Sequence, residues 1–377
     1  MQNESIPRKG FVHAYLPWLV AAGALVVYFI TLNRWLSVAN IQLTAQVTGW
    51  DWHPPFVSPV LYVFTFPLRW LPAAWQPFGL SLLNVVCAAG TLGLLARSVA
   101  ILPHDRTREQ RVRERSESSS LSTPTAWLPP LLAVLVCGLQ TTFWENAVNA
   151  TGEALDLLMF AYVIRCFLEY RLKRQESWLN RMALVYGLAT TNNFAMVGFF
   201  PVFLGAVVWI KGLEFFNFRF ILRMGLFGLA GLSLYFLLPL LIGLSSQFDT
   251  NFWEMLRFNL GNQKARLTSV PRFLLMLVSA TSVVPVIIMG VRWPSSFGDT
   301  SAAGFKITNL MFYVLHGIFL SACIYVASDP VFSPRTLALR NGIGTTFLTV
   351  YYLGALSVGY FSGYFLLVFG QESGRAW

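Results

Sequence analysis

Residues 182–210 read MALVYGLATTNNFAMVGFFPVFLGAVVWI, and how this run is divided decides the number of membrane spans and the side of everything after it. A bilayer core about 30 Å thick is crossed by about 20 helical residues at 1.5 Å rise. The run is therefore either one long tilted helix or two short helices turning at Thr190, Thr191, Asn192 and Asn193. Four consecutive polar residues near the middle of a bilayer would need partners, which favours the hairpin. Charge does not decide. The hairpin gives ten spans with 19 Lys/Arg on or near the inner side and 8 outside, and a single helix gives the same division.

Working outward, 55% of the 377 residues are hydrophobic and 12% charged, against about 25% charged in soluble domains. One water-soluble globule is excluded. The net charge of +10 first reports orientation in such a chain, so nucleic acid is not an expected partner. Arg8 and Lys9 precede the run Tyr15 to Leu32, an anchor or a cleavable signal peptide; the anchor is preferred because the small-x-small site Ser37 to Ala39 lies well past its end. Further spans are expected at Gly79 to Leu102, Leu128 to Phe143, Gly152 to Tyr170, Gly225 to Gly243, Phe273 to Gly290, Ile307 to Ala327 and Ile343 to Phe369. Val57 to Leu71 is short and broken by Pro59, Pro67 and Arg69, and reads as a helix on the outer membrane surface. That puts the polar loop 103–126, with Arg106, Arg108, Arg111, Arg113 and Arg115, in the cytoplasm, and the Ser-rich remainder of the loop reads as disordered. The expected fold is one all-α membrane domain over residues 1–377, a bundle of about ten spans with surface helices in the first outer loop.

The sequence has no glycine-rich phosphate loop and no His/Glu metal spacing, so neither a metal nor another cofactor is expected. Cys87, Cys137, Cys166 and Cys323 each stand alone in apolar runs and read as buried small hydrophobes. Seven acids face outward or lie near outer helix ends: Asp51, Glu145, Glu153, Asp156, Asp249, Glu254 and Asp329. Asp51, in GWDWHPPF beside His53, is either a general base shifted by apolar neighbours or a loop residue in an aromatic interfacial belt. Glu153 and Asp156 are three apart at a helix start, so they share a face, and serve either an acceptor or sugar or the helix dipole. The outer basic loop 244–272 carries Arg257, Lys264, Arg266 and Arg272, a set suited to a lipid-linked phosphate and equally to anionic headgroups. Arg335 and Arg340 form a weaker cluster of the same kind, and Arg165 reads as a snorkelling residue or a partner of Glu169 one turn on.

In order, HPPFVSPVLY (residues 53–62), TTFWENAVNATGEALDLLMFAY (141–162) and ALVYGLATTNNFAMVGFFPVFL (183–204) resemble the protein O-mannosyltransferase-like membrane family of the glycosyltransferase C superfamily, over roughly residues 10–215. His53, Pro54 and Pro55, then Phe143 and Trp144, then Gly187, Leu188, Asn192 and Pro201 carry the match, and Asn193 stands where the family has histidine. The resemblance implies transfer of a mannose-like sugar from a polyprenyl-phosphate donor to a protein hydroxyl or a glycan. Asp51, Glu153 and Asp156 become the catalytic candidates; His53, Asn192, Asn193, Arg257, Lys264, Arg266 and Arg272 become substrate contacts. It also implies a multi-pass inner-membrane protein in contact with membrane lipids, N-terminus cytoplasmic and active face periplasmic. The family's acidic motif would fall at Val38 to Leu43, which here reads VANIQL without a carboxylate, and Thr151 stands where the family has a glutamate. Two readings stay open: displaced acids still catalyse, or the chain is a non-catalytic member that binds lipid-linked sugar or a partner membrane protein. Family members often continue into a soluble outer domain, so a fragment or short form is expected.

Overall fold

The computed structural model describes residues 11–37, 40–50, 58–102, 104–105, 118–119, 125–244, 250–269 and 348–372. After a single turn at Phe11–Ala14 come α1 (Leu16–Ile30), α2 (Ile41–Thr48) and α3 (Pro59–Thr65). The long α4 (Gln76–Ala100) leads to α5 (Leu128–Gly138), α6 (Thr141–Val148), α7 (Glu153–Lys173) and α8 (Ser177–Asn192). Then follow α9 (Phe200–Lys211), α10 (Phe218–Leu232), α11 (Leu237–Gly243), α12 (Phe252–Ser269) and α13 (Leu348–Glu372). His104 and Ser119 pair in a two-residue antiparallel bridge inside the polar loop, and the other elements among the described residues are helical.

The core forms around α4, which has Pro77 in its first turn, where the missing N–H costs nothing. Its buried side chains are small or branched (Val85, Ala88, Ala89, Leu92, Ala96, Val99), so α1, α5 and α7 approach it closely. Phe160 of α7 and Tyr351 and Tyr352 of α13 complete that core, with Phe160 and Tyr352 edge to face at 6.0 Å between centroids. A second contact has no room for any side chain. Where α8 crosses α10, a Cβ on Gly187 would strike the Gly228 carbonyl, and one on Gly231 would strike the Leu184 carbonyl. Small residues that let helix backbones meet are the packing device of helices in lipid.

The division of residues 182–210 is visible directly. α8 ends at Asn192, Asn193 adopts φ −137° and ψ 107°, and a 3₁₀ turn at Phe194–Phe199 reverses the chain into α9. The reversal is complete, because Lys211 at the end of α9 reaches back 2.7 Å to Glu176 at the start of α8. Tyr186 stacks on Phe200 and donates a 2.7 Å hydrogen bond to the Met196 carbonyl, tying the two arms together.

The expected ten spans are not seen. Among the described residues two helical stretches are long and apolar enough to cross a membrane, Ala73–Ala100 and Phe218–Gly243, with a third if Leu128–Gly138 and Thr141–Val148 count as one. Run-counting assumes one continuous helix per apolar run, and here several runs are interrupted. The stretch 128–148 bends by 73°, α1 is 15 residues long, and residues 194–199 are 3₁₀. α7 is long enough, but Glu153, Asp156, Arg165, Glu169, Arg171 and Lys173 interrupt its apolar character. The expected spans at Phe273 to Gly290 and Ile307 to Ala327 lie outside the described residues. Of the expected surface helix Val57 to Leu71, residues 58–71 are described and fold as the seven-residue α3 followed by a 3₁₀ turn at Phe66–Trp70, with Phe64 and Trp70 exposed.

Candidate functional site

The bend between α5 and α6 interrupts the backbone ladder, and Tyr28 of α1 donates a 2.7 Å hydrogen bond to the Gly138 carbonyl at the break. Tyr28 also packs against Phe143 and, edge to face at 5.4 Å, Trp144, whose indole N–H reaches Thr31 Oγ1 at 3.2 Å. The Phe-Trp pair of the sequence therefore docks α6 on the end of α1. Asparagines hold the next segment. Asn84 Nδ2 donates to the carbonyls of Asn146 and Asn149, and Asn33 Nδ2 donates to Asn149 Oδ1 at 2.8 Å. Gly152 then takes φ +78°, a left-handed conformation suited to glycine, and a Cβ there would press on Leu61 at 3.1 Å. This fixes where α7 starts and places Glu153 and Asp156 in its first turn, where the helix dipole favours negative charge.

Asp156 meets the break in the residue 182–210 hairpin. Asn192 Nδ2 donates to its Oδ1, and Asn193 Nδ2 donates to its Oδ2 at 3.0 Å. Asn192 Oδ1 in turn accepts the Leu61 amide of α3 at 2.9 Å, one of the donors a helix start leaves without a partner of its own. Asn193 Oδ1 accepts the Ala195 amide at 3.1 Å and opens the 3₁₀ turn. One carboxylate thus joins α3, α7 and α8, with each oxygen held by an amide. A carboxylate offers about four acceptor positions, so this geometry orients Asp156 and leaves capacity for a hydroxyl proton. Glu153 lies one turn earlier on the same helix face, partly buried.

The basic helix comes to the same end of the molecule. α12 packs against α11 and the Phe194–Phe199 turn that Asn193 opens. Arg257 and Lys264, seven residues apart on α12, are both exposed. Arg266 belongs to the same helix, and nothing is described of its side chain. Asp51, His53 and Arg272 lie outside the described residues. Asn40, within VANIQL, is buried and uses its side chain locally, accepting from Ser37 N at 2.8 Å and donating to the Trp35 carbonyl at 3.1 Å.

The opposite end of α7 carries a second charged centre. Glu169, fully buried, accepts from Arg97 Nε of α4 at 2.9 Å and pairs with Lys173 at 2.8 Å and Arg165 at 3.7 Å. The i,i+4 spacing announces the Arg165 and Lys173 pairs, but not Arg97, 72 residues away. Likewise no local signal links Asn192 to Leu61, 131 residues apart. Among the described residues no group of three or more His, Cys, Asp or Glu side chains is placed to hold a metal ion.

Residues 51–214 match the family model described as the Protein O-mannosyl-transferase TMEM260 N-terminal domain. The matched stretch is under half of the chain and contains Asp156, Asn192, Asn193 and Glu169. It supports an O-mannosyltransferase-like family. No curated protein and no solved structure matches the chain.

Proposed function

We propose that the chain is a membrane glycosyltransferase of the glycosyltransferase C kind, moving a mannose-like sugar from a polyprenyl-phosphate donor to a hydroxyl of a protein or glycan. The family match names an O-mannosyl-transferase, which supports a sugar donor and a protein acceptor in general. The observation that carries the reading further is the carboxylate of Asp156, oriented by two asparagine amides at a helix start and flanked by the turn on which the basic α12 packs.

In this reading the acceptor oxygen attacks the anomeric carbon with inversion while its proton passes to a carboxylate. The bond from that carbon to the phosphate oxygen breaks, and the phosphate leaves with the electron pair. Arg257 and Lys264, with Arg266 and Arg272, stabilise the leaving phosphate. Asp156 is the carboxylate favoured by its geometry. Asp51 and His53 come close in sequence to Gly49 and enter the same proposal as a second acid-base candidate and a substrate contact. A periplasmic active face and a cytoplasmic N-terminus belong to the same proposal, on the basic residues Arg8 and Lys9 before α1 and the arginines of the loop after α4.

Transfer by the purified full chain, with polyprenyl-phosphate mannose and a peptide acceptor, separates the candidates. Asp156→Asn is expected to lower the rate by about 10²- to 10⁴-fold, the range for a positioned proton acceptor. An undiminished rate removes Asp156 from the mechanism, and loss in Asp51→Asn alone assigns the role to Asp51.

A non-catalytic role has its own supporting observation, because the amides engage both oxygens of Asp156 and VANIQL supplies no acid. Wild-type protein that binds the donor lipid and transfers to no acceptor would favour that role.

A further inference from the structure

A groove of about 640 Å³ runs along α7 between α1, α4 and α8. Its lining extends from Leu155, one residue before Asp156, to Lys173, which at 1.5 Å per residue is about 27 Å of helix. Over most of that length the walls are apolar, with Trp18, Phe64, Leu94, Leu158 and Met159 among them. One end differs. There Arg97, Arg165 and Lys173 line the groove around Glu169. Arg181 joins them from α8, since its guanidinium lies 4.9 Å from the Trp178 ring centre, as does the Lys173 ammonium, with Arg165 at 5.7 Å.

Three cations thus crowd around one carboxylate, with Arg181 a fourth beside the shared Trp178 ring. The Nε of Arg165 is sealed from solvent and makes no hydrogen bond, standing 3.7 Å from Glu169. Burial and the nearby Arg97 hold His13 below its ordinary value, so at neutral pH it neither relieves nor adds to this charge. Like charges gathered at the mouth of an apolar slot call for an anion with an apolar tail. The volume is within the range of small-molecule sites.

We infer that this groove is a binding site for an anionic membrane phospholipid, with an acyl chain along α7 and the phosphate among Arg165, Lys173 and Arg181. The site is separate from the transfer centre, which lies at the other end of α7, and does not depend on any transfer reaction. Its occupant would join α1, α4, α7 and α8 from the lipid side.

The test uses the full chain in nanodiscs of phosphatidylcholine doped with phosphatidylglycerol, with co-purifying lipid counted by native mass spectrometry. One phosphatidylglycerol per chain is expected to survive dilution into phosphatidylcholine. Arg165→Gln with Lys173→Gln should weaken its retention by about tenfold or more, the worth of a charge-assisted contact. Leu158→Trp, which fills the slot and leaves every cation in place, should weaken retention to a similar degree. Equal retention of the two phospholipids overturns the inference, and so does unaltered retention in Leu158→Trp. Displacement of phosphatidylglycerol by equimolar polyprenyl phosphate overturns it too and gives the groove to the sugar donor. Any of these results leaves the transfer measurement on Asp156→Asn unaffected.

Discussion

The two ends of α7 solve the same problem with different chemistry. At its start a carboxylate is held by neutral amides, Asn192 and Asn193; at its end another carboxylate is held by cations, Arg97, Arg165 and Lys173. Amide donors orient Asp156 without cancelling its charge, and Asp156 remains partly exposed. The cations neutralise Glu169 where water is absent, because a buried charge without a counter-ion costs several kcal/mol. The first arrangement leaves a carboxylate usable, and the second consumes one.

The largest expected effect tests whether α8 is what carries the asparagines to Asp156. Gly187→Leu forces α8 away from α10, since even a Cβ meets the Gly228 backbone, and should cost more than about 4 kcal/mol and prevent stable folding. A purified Gly187→Leu protein with a wild-type unfolding temperature would break the comparison at its geometric base. Next comes Glu169→Gln, which leaves Arg97 and its neighbours without their shared anion. It should destabilise by about 3–5 kcal/mol in thermal or denaturant unfolding, and a change under 1 kcal/mol would mean that the cations do not depend on Glu169.

The smallest effect concerns the hairpin's closing contact. Glu176 pairs with Lys211 at 2.7 Å and with Arg223, and these two cations, Lys211 first, hold its carboxyl below the ordinary range near 4.3. A folded-state value lowered in this way adds stability above the unfolded value, which is lost as pH falls through the folded one. Glu176 is substantially exposed, so Glu176→Gln should cost less than about 1 kcal/mol at neutral pH and less than that near pH 3. Unfolding midpoints at the two pH values check this, and a larger difference at pH 3 would reverse the assignment.

The sequence made legible what depends on neighbours in the chain. Four polar residues in an apolar run announced the reversal at Thr190 to Asn193, and i,i+4 spacing announced Arg165 with Glu169. It could not announce that Asn192 would cap α3 while holding Asp156, because those partners lie 131 and 36 residues away and depend on how α3, α7 and α8 pack. Among the described residues fewer spans are seen than expected, for a related reason. Hydropathy reports that a run is apolar and not that its helix is unbroken, and the bend after Gly138 and the 3₁₀ turn after Asn193 are fixed by tertiary partners such as Tyr28 and Tyr186. Glu153 and Asp156 were legible as a pair on one face, yet spacing alone could not show that Asp156 meets the asparagines.

The central claim is that the start of α7 serves transfer and its end serves the fold. One paired measurement tests it, the transfer rate and the unfolding temperature of Asp156→Asn beside those of Glu169→Gln. The account predicts that Asp156→Asn loses transfer by about 10²-fold or more while unfolding within a few degrees of wild type, and that Glu169→Gln loses stability first. If Asp156→Asn falls in unfolding temperature as far as Glu169→Gln and keeps its transfer rate while folded, both carboxylates are structural and the claim is contradicted.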